Sequence, residues 1–237
     1  MKVISIINES NLVSKKEFSD MVDAVATQVK RDFCPAWGLS KIKVVKRSKN
    51  PKGWVITIKN EPDPGDEGAL GYHTMTNDME WGVIFVKPVL DAGGVINIDK
   101  NDITTPTVAS VLSHEVLELI ADPYVNAWIE GPRRKEGYLY ALEVCDPVES
   151  DQYSIGNVAV SNFILPEWGN EETNITADYD FMKKLTAPFT MSKGGYMVVR
   201  GVGNSGTEVF AKKRPKWRKK AKTLKIGSRN SKRLNGE

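Results

Sequence analysis

The sequence predicts an α+β protein, a mixed β-sheet packed on a central helix, with a basic tail at its C-terminal end. Three observations lead there. The opening reads strand, helix, strand, strand, which suits a mixed sheet crossed by at least one helix. A helix near residues 105–121 is apolar enough to be central rather than superficial. Short apolar segments, cut by prolines and glycines, then occupy the second half.

Taken in order, residues 2–8 (KVISIIN) read as a strand. Ser14 with Glu17 three residues on forms a capping box. Phe18, Met21, Val22, Val25 and Val29 then recur at helical spacing to about Phe33, and Pro35 and Gly38 close the element. Residues 41–46 and 54–59 are strands, joined by a turn around 50–53. The stretch 61–67, EPDPGDE, reads as an exposed acidic loop, since it lacks a spaced calcium-ligand series. Residues 69–74 form a short strand, 81–89 a clearer one, and 91–94 a turn. Thr105 caps the apolar helix with Pro106 at its first position, and Asp122 before Pro123 ends it. Further strands fall at 138–144, 158–165 and 196–200, and 167–193 is irregular with one short helical piece. This organisation divides the chain into a globular domain, 1–203, and an extension, 204–237.

Composition narrows the classes. The 237 residues are 41% hydrophobic and 27% charged, the balance of an ordinary soluble protein. Nowhere do eighteen apolar residues run together, so no membrane span is expected. The start MKVISIINES has no basic region before an apolar core, so it does not read as a secretory signal. Two cysteines, Cys34 and Cys145, exclude a disulfide scaffold and a Cys-rich zinc finger. The formal charge of +3 conceals an asymmetry: residues 212–237 carry +11 and residues 1–211 carry −8. Within the tail, Lys212, Lys213, Arg214, Lys216, Arg218, Lys219 and Lys220 surround Trp217. Such a segment can neutralise phosphates and stack on a base, or dock on a neighbouring subunit. It also reads as a plain solubilising tail.

The sharpest chemical signal lies in SVLSHEVLELIADP, residues 110–123. His114 and Glu118 are four apart, one turn along the same face, where an imidazole and a carboxylate can hold one divalent ion. Glu115 points aside and can take a proton from activated water in a metal-dependent hydrolase. This is H-E-x-x-H with glutamate for the second histidine, an anionic ligand that weakens the metal's Lewis acidity. The third ligand is Glu143, then His73, then Asp122 or Asp146, with Asp146 equally able to orient His114 through its other ring nitrogen. The bland reading makes His114 a buried hydrogen-bonding residue and Glu115 and Glu118 partners of nearby basic groups. The apolar surroundings at Val111, Leu112, Val116, Leu117, Leu119 and Ile120 weigh against it, since ionised carboxylates there need a partner or a metal.

SHEVLELIADP, YALEVCDPVE and VSNFILPEW, taken in order, resemble a sparsely characterised zincin-like, metallopeptidase-like group of bacteriophages and bacteria. RDFCPAWG at 31–38, GALGYHT at 68–74, PF at 188–189 and GGY at 194–196 belong to the same pattern, so the resemblance covers about residues 1–200. It implies a mixed sheet with a peptide-binding edge strand, to which 81–89 is assigned, and a metal helix beneath. It implies zinc held by His114 and Glu118, with Glu143 as the downstream glutamate ligand and Glu115 as general base. The chain departs from the peptidase pattern at Glu118 and in lacking a following Gly-x-x-His segment. Two functions therefore compete. One is a metal-dependent peptidase. The other is a non-enzymatic virion or assembly component, in the host cytoplasm and the virion, whose tail docks on a subunit or on nucleic acid.

Overall fold

The computed structural model describes residues 1–47, 50–66, 69–77, 79–132, 137–172, 177–201 and 206–211. The tail at 212–237, with every basic residue named above, lies outside the described residues.

The first half is a five-stranded sheet. Its strands are β1 (Lys2–Asn8), β2 (Ile42–Arg47), β3 (Trp54–Lys59), β4 (Gly71–Thr76) and β5 (Met79–Phe85). Their spatial order is β2-β1-β3-β5-β4. β1 pairs in parallel with β2 and β3, and β3 with β5, while β4 runs antiparallel to β5 at the edge. Alternation along the strands buries Ile4, Ile6, Ile56 and Ile58 completely. The helix α1 (Lys15–Gln28) makes the crossover from β1 to β2, and the expected capping box of Ser14 and Glu17 is formed. One turn of π-helix, Val29–Phe33, and a short α2 (Cys34–Ala36) follow. The turn after β2 has Asn50 at φ 51° and Gly53 at φ 70°. A Cβ on Gly53 would stand 2.1 Å from the Val3 carbonyl oxygen, so this close approach requires glycine.

A short α3 (Val86–Asp91) follows β5 directly, and α4 (Val108–Ala121) forms the centre. α4 packs against β4 and β5, against α1, and against a later hairpin. Every residue from Val108 to Ile120 is buried. Beyond it the chain builds smaller sheets. β6 (Trp128–Glu130), β7 (Tyr138–Ala141), β10 (Tyr196–Gly201) and β11 (Thr207–Phe210) form an antiparallel sheet in the order β11-β10-β7-β6. β8 (Gln152–Ile155) and β9 (Val158–Ser161) form the hairpin against α4. The mixed α+β class is thus present. β11 carries the folded body past residue 203, where the sequence places the start of the extension.

Two readings need correction. The apolar helix is capped by Thr107, whose hydroxyl accepts from the Ser110 amide while Ser110 Oγ accepts from the Thr107 amide. Thr105 lies two residues before this cap, in the preceding turn, where its hydroxyl donates to Asp102 Oδ2 at 2.6 Å. Residues 81–89 are not an edge strand: β5 is flanked by β3 and β4, and the chain turns helical at Val86. The edge is β4. Among the described residues no helix is long and apolar enough to cross a membrane.

Candidate metal centre

Three elements converge on one buried cluster. α4 supplies His114, Glu115 and Glu118, the edge strand β4 supplies His73, and the loop after β7 supplies Glu143, Cys145 and Asp146. Helical spacing brings His114 Nε2 to 3.1 Å from Glu118 Oε1. Asp146 opens a 3₁₀ turn, Asp146–Val148, and its Oδ1 stands 3.2 Å from the same His114 nitrogen. The Cys145 amide donates to Glu118 Oε1 at 3.3 Å and pins the loop to the helix. From the other side, His73 Nδ1 lies 3.3 Å from Glu115 Oε2 and 3.9 Å from Glu118 Oε2.

The His73 ring has a defined proton position. Its Nε2 faces the backbone carbonyl of Asp122 at 3.2 Å. A carbonyl only accepts, so Nε2 carries the hydrogen and donates it. Nδ1 is then the nitrogen that faces the carboxylates of Glu115 and Glu118. A metal-ligating histidine is commonly held this way, by a carbonyl on its far nitrogen. The side chain of Asp122 does different work: its two oxygens accept from the amides of Asn126 and Ala127, at 3.2 and 3.0 Å, and close the end of α4.

All these groups are sealed from solvent. Relative exposure runs from 0% at His73, Glu118 and Cys145 to 9% at His114. Burial opposes a charged His114 imidazole, but Glu118, Cys145 and Asp146 outweigh it and raise its proton affinity well above the usual range. Burial pushes the Cys145 thiol well above its usual range; His114 opposes this and Glu118 adds to it. Cys145 is therefore a protonated thiol unless a cation takes the proton's place.

The donor atoms fit a metal. Two triads, His114 with Glu118 and Cys145, and His73 with Glu118 and Glu143, each bring their donor atoms within 4.8 Å of one another. Ligand atoms on a tetrahedral zinc ion lie roughly 3.3–3.8 Å apart, close to the spacings observed here. Asp146 Oδ1 is buried and has no hydrogen-bond partner among the described residues, although it abuts His114. Either the protonated His114 ring beside it or a bound cation in its place satisfies such an oxygen. Imidazole, carboxylate and thiol together suit zinc.

The structure thus brings together His73, His114, Glu115, Glu118, Glu143 and Asp146. It places Glu143 with His73 rather than with His114, and it adds Cys145, which sequence reasoning did not assign. The available signal was its place between Glu143 and Asp146 in ALEVCDPVE. The chain matches no protein-family model, no curated protein and no solved structure.

Proposed function

We propose that this chain is a zincin-like protein that binds a divalent metal, zinc foremost, between α4, β4 and the loop after β7. The observation that carries this reading is the pair of buried His/Glu/Cys and His/Glu/Glu triads. The mixed sheet with its antiparallel edge strand, set over a helix bearing His114 and Glu118, supports the zincin-like part. His114 and Glu118 hold the metal, with Cys145, His73, Glu143 and Asp146 completing its surroundings. Bound zinc supplies a Lewis acid that polarises a carbonyl. In a peptidase, Glu115 takes the proton from the attacking water.

A second reading, a non-enzymatic virion or assembly component with a structural metal, is favoured by the sealing of every donor. Structural zinc sites are closed, whereas catalytic ones keep an open position. In this reading residues 212–237 dock the chain on a neighbouring subunit or on nucleic acid. One experiment addresses both. Metal content is measured by mass spectrometry on the purified full-length chain and on His114→Ala and Glu118→Ala, beside a peptide-hydrolysis screen with Glu115→Gln. Bound zinc, lost in both alanine variants, is the expected result. Hydrolysis abolished by Glu115→Gln then selects the peptidase, and zinc without hydrolysis selects the structural role. A zinc-free chain after purification in added zinc overturns the proposal.

A further inference from the structure

The two triads meet at a single residue. Glu118 belongs to both, and a different one of its oxygens approaches each histidine. Oε1 is the oxygen at 3.1 Å from His114 Nε2, and Oε2 the one at 3.9 Å from His73 Nδ1. On the Oε1 side stand Cys145, an imidazole nitrogen and the buried Asp146 Oδ1 that has no hydrogen-bond partner among the described residues. Grouped with the other histidine, His73, whose ring is fixed by the Asp122 carbonyl, is Glu143.

We propose that the cluster holds two metal ions bridged by the Glu118 carboxylate, one on the His114–Cys145–Asp146 side and one on the His73–Glu143 side. This rests on the metal-binding reading above and extends it. Each side has one imidazole nitrogen, one oxygen of Glu118 and at least one further anionic donor, a complete set for a small divalent ion. Carboxylate-bridged pairs sit about 3.5–4 Å apart, a separation that one carboxylate spans through its two oxygens. The two sides differ in softness. The side with the thiol suits zinc or cobalt, and the all-carboxylate and imidazole side accepts harder ions as well.

Cobalt(II) titration of the chelator-stripped full-length chain tests this, followed by metal analysis, absorption and electron paramagnetic resonance. Two equivalents are expected to bind. A thiolate-to-cobalt charge-transfer band should accompany one of them, and the resonance signal per ion should fall at the second equivalent as the bridged ions couple. His73→Ala should reduce the stoichiometry from two to one and keep the charge-transfer band. Cys145→Ser should abolish that band. Glu118→Gln should weaken both ions together. One ion per chain at excess cobalt overturns the bridged pair and leaves the metal-binding proposal standing, and none overturns both. Two ions without magnetic coupling overturn the bridge. The wild-type titration decides the matter even where a variant fails to fold.

Discussion

The sheet of β1 to β5 with α1, and the smaller sheets after residue 122, are built on different principles. The first is held by apolar alternation: Ile4, Ile6, Ile56, Ile58, Met21 and Val25 are fully buried across one interface. Its helix α1 opens on the Ser14–Glu17 box and ends at the buried Gln28, whose Nε2 donates to the Ser161 carbonyl at 2.8 Å and whose Oε1 accepts from Ser113 Oγ at 2.6 Å. The second buries Val144, Val160, Phe163 and Trp168 as well, and adds buried polar side chains that bond the backbone of its irregular segments. Asp180, fully buried, accepts from Asn162 Nδ2 and from the amides of Met182 and Leu185. Asn162 Oδ1 in turn accepts from the amides of Phe163 and Met182, and Trp168 Nε1 donates to the Thr190 carbonyl. The difference teaches where the metal centre comes from. It lies on the seam, with β4 from the first region, the Glu143–Asp146 loop from the second, and α4 between them.

The largest effect should therefore follow from breaking the seam itself. Glu118→Ala leaves the His114 imidazolium and the Cys145 amide without their shared acceptor in the core. Removing one partner of a buried ionic contact costs about 3–5 kcal/mol. Urea denaturation of the metal-free chain should show a loss in that range, and metal should no longer raise the midpoint. A loss below about 1 kcal/mol would mean that the two regions are joined by something other than this residue.

Next comes a test of whether the regions are separately held. Asp180→Ala deprives two buried donors, Asn162 Nδ2 and the Leu185 amide, of their acceptor, while the Met182 amide keeps Asn162 Oδ1; at about 1–3 kcal/mol each before relaxation, a total near 3 kcal/mol is expected. Hydrogen exchange should locate the change. Amides of β8, β9 and the 162–185 segment should exchange faster, and those of β1 and β3 should keep their protection. Equal acceleration in β1 would show that the two regions unfold as one unit.

The same contrast explains what the sequence disclosed. β1, α1 and β3 were legible because their periodicity is local and their burial one-sided. β6, β8 and β11 are three or four residues long and carry no resolvable period. The helix register of His114 and Glu118 was legible because i, i+4 spacing guarantees it. Forty-two residues separate His73 from Glu115, and only the antiparallel return of β4 beside β5 joins them. Cys145 carries no ligand signal in the sequence, because its approach to His114 and Glu118 spans some thirty residues and is made only by the fold. The edge strand was misassigned for a related reason: β5 is the more apolar run, and in a mixed sheet the more apolar strand is the inner one.

The smallest effect tests the linking turn before α4, where the second region grips the first through Gln152 Nε2, which donates to the Ile103 and Thr105 carbonyls at 3.0 and 2.8 Å. Asp102 organises this turn. Its carboxylate accepts from the Thr105 hydroxyl, the Thr104 hydroxyl and the Thr104 amide, which together lower its pKa from 3.8 to about 2. The folded-state pKa is depressed, so the turn's contribution is fully present above about pH 4 and is lost as pH falls through about 2. Asp102 is partly exposed, and solvent screening holds the contribution to roughly 0.5 kcal/mol. Asp102→Asn should cost that much at neutral pH, and urea midpoints of variant and wild type should converge on acidification from pH 5 to pH 2. A gap that persists at pH 2 would mean that Asp102 holds the turn through hydrogen bonds that do not need its charge.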